Sequence, residues 1–154
     1  MSKRWLRIAI LAGALFAINL IGRLVVRLGS VDDVNSQQQV TVLTYAAVGL
    51  LMAVLAVLWG RLRPAGPVIA DLAGGMVVAG LLILTIGPFV SGTTPAAVGA
   101  GDSFNAAWQY AGFAAGGALI GLLSLIAAGR DYTSQSLKRF AEAKLTKPHR
   151  VVRR

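Results

Sequence analysis

One uncharged stretch decides the fold of this 154-residue chain: residues 103–129 read SFNAAWQYAGFAAGGALIGLLSLIAAG. Three further uncharged stretches, residues 8–22, 34–60 and 72–101, precede it. A charged side chain at the centre of a bilayer costs about 2.5–3.5 kcal/mol, and about 20 apolar residues cross the hydrocarbon core as a helix. The sequence therefore predicts an all-α membrane protein with four transmembrane helices.

The composition excludes a soluble domain. Hydrophobic residues make up 56% of the chain and charged residues only 14%, which leaves more apolar surface than a core of this size buries. We predict transmembrane spans at about residues 6–26, 40–59, 68–86 and 105–128. They form one transmembrane domain, residues 1–132, arranged as a small four-helix bundle. Gly87-Pro88 ends the third span, and residues 89–103 form the longest loop.

A basic tail, residues 133–154, follows the spans. The spacing of its apolar residues predicts a short cytoplasmic amphipathic helix over residues 134–145. An anionic membrane surface attracts each nearby Lys or Arg by about 1 kcal/mol, which favours contact with lipid. The alternative is a solvated tail that only fixes the topology. The side chains predicted to contact lipid are Lys138, Arg139, Phe140 and Lys144.

The distribution of basic residues predicts the orientation. If the N-terminus, the turn at residues 61–63 and the tail share a side, that side holds 13 of the 15 Lys and Arg residues, and the other side holds Arg23 and Arg27. Cytoplasmic segments carry such an excess, so we predict that both termini are cytoplasmic. We expect Trp108 and Tyr110 at the opposite interface. The excess of Arg over Lys, 11 to 4, fits a bacterial inner-membrane protein.

The first span carries a polar stripe near its non-cytoplasmic end. Asn19, Arg23 and Arg27 are spaced by four residues and therefore share one helix face. One interpretation is that both arginines reach lipid phosphates and pair with acidic residues. The other is an anion or lipid-headgroup site in the outer leaflet, with Asn19 as its deepest polar contact. The acidic residues considered for pairing are Asp32, Asp33 and Asp102.

Two successive GxxxG units mark the fourth span. The first consists of Gly112 and Gly116, and the second of Gly117 and Gly121. Glycines four residues apart let another backbone approach closely, which replaces the hydrophobic driving force that lipid does not supply. These glycines are predicted to pack helices, either within the bundle or against a partner helix or a second copy of the chain.

An acidic residue, Asp71, lies in the first turns of the third span, on the predicted cytoplasmic side with Arg61 and Arg63. A carboxylate near a helix N-terminus is favoured by the helix dipole, and the two arginines are close in sequence. The alternative is a coupling-ion or proton site, because acidic residues within a membrane are often functional.

The inventory of reactive side chains argues against an enzyme. The chain has no Cys, and the predicted spans hold no His, no Lys and no paired carboxylates, so we expect no metal, no cofactor and no catalysis. Nucleic acid is not an expected partner, since no binding fold accompanies the basic charge. We expect an accessory or scaffold subunit that packs with other membrane helices, or itself, and with anionic lipid. The alternative is a small oligomeric carrier or a lipid or anion translocator.

Overall fold

The computed structural model describes residues 3–29 and 33–145. In this part of the chain 90% of the residues are helical and none forms a strand. Its helices are α1 (Lys3–Leu28), α2 (Val34–Leu62), α3 (Ala65–Thr85), α4 (Gly87–Val90), α5 (Pro95–Val98), α6 (Ala100–Ala127) and α7 (Tyr132–Leu145). Among them α1, α2, α3 and α6 are long and apolar enough to cross a membrane. The all-α class and the four long apolar helices are confirmed.

Helix α2 begins well before the predicted span because its N-terminus is capped. The Asp33 carboxylate accepts a hydrogen bond from the backbone N–H of Ser36 at 3.3 Å, which satisfies one of the free donors of the first turn. The three glutamines at residues 37–39 are therefore helical. The predicted spans left residues 27–39 as the connection between the first two helices, whereas α1 ends at Leu28 and α2 begins at Val34, so the connection is shorter.

The expected loop at residues 89–103 is largely helical. Pro95 occupies the first turn of α5, where its missing N–H costs nothing. Gly99, with φ of 78°, adopts the left-handed conformation that favours glycine, and α6 begins at the next residue, Ala100. Helix α6 is thus longer than predicted and carries Asp102 in its first turn.

The four long helices pack as two closely associated pairs that are joined to each other. Helix α2 makes its largest contact with α6, and α1 packs mainly on α3 and also on α2. The buried core runs between them and includes Leu11, Leu15, Val48, Met52 and Ile83. Large apolar side chains also cover the outside of each long helix, as expected where lipid replaces water. The molecule is compatible with a multi-pass membrane protein.

Two tyrosine hydroxyls satisfy their hydrogen-bonding needs across the helix interfaces. Tyr110 of α6 donates to the Met76 carbonyl of α3 at 3.1 Å, and Tyr45 of α2 lies 3.5 Å from the Ala106 carbonyl of α6. Tyr110 is buried against α3, whereas Trp108, the other aromatic residue expected at this interface, is exposed. A tyrosine hydroxyl that donates to a backbone carbonyl inside the bundle does not require a hydrogen bond to water.

Candidate functional site

The predicted polar stripe of α1 lines a cavity of about 340 Å³, which we call the Arg23 cavity. Asn19, Arg23 and Arg27 contribute one wall, α2 contributes the opposite wall through Thr44 and Tyr45 among others, and Ser91 comes from the end of α4. The three residues share a face because four positions rotate a helix by about 40° beyond a full turn. The cavity therefore combines two guanidinium groups with several neutral polar groups.

Arg23 is held by neutral partners. Its Nε donates to Oδ1 of Asn19 at 2.9 Å, and its Nη1 donates to Oγ of Ser91 at 3.0 Å. Asn19 is 5% exposed and partners this arginine. The guanidinium of Arg23 can lie close to α4 because residue 87 is a glycine; a Cβ there would lie 2.9 Å from Cζ of Arg23. The arginine is thus fixed between α1 and α4.

Arg27 is bound in a similar way at the end of α1. Its Nη1 donates to the carbonyl oxygen of Val90 at 2.6 Å. Within residues 3–29 and 33–145, neither Arg23 nor Arg27 makes an ion pair with a carboxylate. Asp33 instead caps α2, whereas Asp32 lies outside the described residues.

This arrangement leaves two positive charges in the Arg23 cavity without a counter-charge from the described part of the chain. Neutral acceptors orient a guanidinium but do not neutralise it. The chemistry suits an oxyanion such as a phosphate or a carboxylate, because the guanidinium fork matches two oxygens at once. Sequence reasoning found Asn19, Arg23 and Arg27 but missed Ser91, which lies 68 positions away and shows no pattern linking it to Arg23.

A second charged group, the Asp71 cluster, consists of Asp71, Arg4, Arg7 and Arg63. Oδ1 of Asp71 lies 2.7 Å from Nε of Arg4, and Oδ2 lies 3.5 Å from both Nη2 of Arg7 and Nη1 of Arg63. Asp71 is only 1% exposed. The sequence led us to expect Arg61 and Arg63 beside it; Arg63 is there, whereas Arg61 is exposed and forms no ion pair with the described carboxylates. Arg4 and Arg7 were missed.

The four glycines of the two GxxxG units of α6 divide into two faces. Gly117 and Gly121 are buried, and a Cβ on either would overlap the backbone of α2 at Gly49 or Ala53. Gly112 and Gly116 have open space at the Cβ position. They line a mostly apolar groove between α2 and α6, of about 660 Å³, together with Trp108 and Phe113 among others.

The amphipathic helix α7 starts two residues earlier than predicted, at Tyr132. The Asp131 carboxylate caps it by accepting a hydrogen bond from the N–H of Ser134 at 3.1 Å. The four side chains predicted to contact lipid are all exposed, and Phe140 is 70% exposed. They are Lys138, Arg139, Phe140 and Lys144.

No metal centre is found in the described residues, which contain no group of three or more His, Cys, Asp or Glu side chains placed to share an ion. The comparisons with known proteins add no relationship: the chain matches no family model, no curated protein and no solved structure. The Arg23 cavity, the Asp71 cluster and the α2–α6 groove are the features of the described residues that bear on function.

Proposed function

We propose that this chain is a non-catalytic integral membrane protein that binds an anionic lipid and acts as an accessory or scaffold subunit beside other membrane helices. In this proposal both termini are cytoplasmic, as the excess of basic residues on one side favours. The protein resides in a bacterial inner membrane, which fits the excess of Arg over Lys. The observation that carries the proposal is the Arg23 cavity, where Arg23 and Arg27 have only neutral partners among the described residues.

The lipid part of the proposal follows from charge and depth. A guanidinium forms stronger hydrogen bonds with a negatively charged acceptor than with a neutral one, and the most abundant such acceptor at a membrane is a lipid phosphate. Arg23 and Arg27 lie near one end of α1, where a phosphate of the outer leaflet would reach them. The exposed basic residues of α7 would hold anionic lipid of the inner leaflet.

Native mass spectrometry of the detergent-purified chain tests the lipid site. Changing Arg23 and Arg27 together to Gln should reduce retained phosphatidylglycerol several-fold, because both charges of the cavity are lost. The matched control changes Arg61 and Arg130 to Gln, which removes the same charge from exposed positions. Equal retention in the two double variants would refute the proposed site.

The accessory role is supported by the α2–α6 groove. Gly112 and Gly116 face open space, and small residues in such a groove admit a helix of another chain. Purification in a gentle detergent should recover a stoichiometric complex. Changing Gly112 and Gly116 to Leu should dissociate it, whereas Gly13→Leu, at an open position of α1, should not. Isolation of a single uncomplexed species would count against this role.

The alternative of an oligomeric carrier or a lipid or anion translocator is favoured by the position of Arg23, which is partly buried between α1, α2 and α4. Such a protein would move a fluorescent anionic lipid across the bilayer of reconstituted vesicles. A rate equal to that of protein-free vesicles excludes this alternative, and a raised rate that the Arg23→Gln change abolishes would replace the accessory role.

A further inference from the structure

The Asp71 cluster holds more positive than negative charge. Three guanidinium groups surround one carboxylate, so the cluster carries a formal surplus of two positive charges. Two of the arginines, Arg4 and Arg7, lie on α1, and Arg63 lies in the turn between α2 and α3. All three contact the carboxylate of Asp71. A structural ion pair needs one cation per anion. The two additional cations therefore need another explanation.

The donors of these arginines exceed what Asp71 can accept. Each guanidinium has five N–H donors, about fifteen in total, whereas a carboxylate accepts about four hydrogen bonds. Nε of Arg7 is buried and has no hydrogen-bond partner among the described residues. A buried donor without an acceptor is unfavourable, and it shows that Asp71 does not saturate the donors of the three arginines.

The spacing between the cluster and the Arg23 cavity matches the distance between the two phosphate layers of a bilayer. Arg7 and Arg23 are 16 residues apart on α1, or about 24 Å, and Arg4 and Arg27 are 23 residues apart, or about 35 Å. These separations bracket the roughly 30 Å of a hydrocarbon core. If the Arg23 cavity meets one phosphate layer, the Asp71 cluster meets the other.

The cluster is accessible to such a ligand. The side chains of Arg4, Arg7 and Arg63 are 56%, 31% and 30% exposed, whereas Asp71 is 1% exposed. The carboxylate thus lies behind the arginines and orients them, while the donors on their exposed parts are open to an approaching anion. Trp5, which is 64% exposed, lies beside Arg4 in the sequence and fits a membrane interface.

We propose that Arg4, Arg7 and Arg63, held together by Asp71, form a second anion site, which binds a phosphate group at the end of the bundle opposite the Arg23 cavity. The phosphate belongs either to a lipid headgroup of the inner leaflet or to free inorganic phosphate. This site is independent of the lipid site proposed above, because it uses other residues at the other end of α1.

The test uses the full chain carrying Arg23→Gln and Arg27→Gln together with Lys138→Gln, Arg139→Gln and Lys144→Gln, so that neither the Arg23 cavity nor α7 contributes to binding. In this background Arg7→Gln should reduce phosphatidylglycerol retention in native mass spectrometry at least five-fold relative to Arg61→Gln, which removes the same charge from the same end. Arg7→Lys keeps the charge but lacks the planar guanidinium fork that matches two phosphate oxygens, and it should also reduce retention. If Arg7→Gln does not fold, Arg7→Lys serves as the test instead.

Inorganic phosphate distinguishes the two sources. If free phosphate is the ligand, millimolar phosphate should raise the melting temperature with Arg7 present but not with Arg7→Gln, and it should displace the lipid. If a lipid headgroup is the ligand, phosphate should do neither while the lipid is retained. Retention that is equal for the Arg7 and Arg61 variants, with no effect of phosphate, would overturn the proposal and leave the cluster a structural ion pair.

Discussion

The two ends of α1 hold arginines in different ways. Near its N-terminus, Arg4 and Arg7 share the buried carboxylate of Asp71, and near its C-terminus Arg23 and Arg27 have only an amide, a hydroxyl and a carbonyl as partners. With Arg63 counted, the Asp71 cluster carries a surplus of two positive charges, as do Arg23 and Arg27 at the other end. The buried carboxylate of Asp71 joins α1 to α3, whereas the neutral acceptors orient Arg23 and Arg27 without compensating their charge.

The largest expected effect is at the Asp71 cluster. Asp71→Asn should lower the free energy of unfolding by about 3 kcal/mol, because three arginines from two parts of the chain lose their shared counter-charge. Equilibrium unfolding in mixed micelles, followed by circular dichroism, measures this change. Asp102→Asn is the control, since Asp102 is exposed in the first turn of α6 and should cost about 0.5 kcal/mol. Similar losses in both variants would show that the buried Asp71 stabilises the protein no more than an exposed carboxylate does.

The corresponding change at the other end is Asn19→Leu, with an expected loss of about 2 kcal/mol. It removes the acceptor of the Arg23 Nε while roughly keeping the side-chain volume. Added phosphatidylglycerol should restore part of the stability, because its phosphate supplies another acceptor. The exposed Asn105→Leu change should have little effect in the same unfolding assay. A stability loss that lipid does not alter would contradict the ligand role of this end.

A smaller effect is expected where α1 approaches α2 beside the Arg23 cavity. A Cβ at Gly22 would overlap the Thr44 side chain, so Gly22→Ala should destabilise the protein by about 1 kcal/mol. Adding Thr44→Ala should restore most of this loss in a double-mutant cycle. Gly13→Ala, at an open position of the same helix, should be neutral or slightly stabilising. Additive effects of Gly22→Ala and Thr44→Ala would show that the two helices are not in close contact there.

The smallest expected effect belongs to Ser91→Ala. The hydroxyl of Ser91 accepts an exposed hydrogen bond from Arg23, whose loss should cost about 0.5 kcal/mol. Thermal unfolding should therefore barely change, while lipid retention should fall if Ser91 orients the guanidinium. Ser124→Ala, an exposed position on α6, controls for the loss of a hydroxyl. Unchanged retention would mean that Asn19 alone positions Arg23.

The helical architecture was predictable because it depends on local composition. A long uncharged stretch satisfies its backbone hydrogen bonds as a helix, so the four stretches identified α1, α2, α3 and α6. The starts of α2 and α6 were placed too late, because polar residues beside Asp33 and Gly99 resemble loops until the cap is recognised. The polar stripe of α1 was visible because its spacing of four residues matches the helical period.

The glycines of α6 show that the helical period alone does not identify which face of a helix packs against its neighbour. Gly116 and Gly117 are neighbours in sequence, yet Gly117 contacts α2 and Gly116 lines the open groove, because successive residues differ by about 100° around a helix. The sequence indicated that some of these glycines pack helices. Which face meets α2 depended on the arrangement of the whole bundle.

By itself, the sequence determined that this protein is helical and has four helices of membrane-spanning length, since charge, length and helical period act within a single segment. Only the tertiary structure decided that Arg4 and Arg7 meet Asp71 across 67 and 64 positions, and that Ser91 meets Arg23 across 68. Such contacts depend on how distant segments pack, and no local pattern encodes them. The charges at the two ends of α1 and the local pair of Asn19 and Arg23 were readable from the sequence, whereas the partners distant in sequence were not.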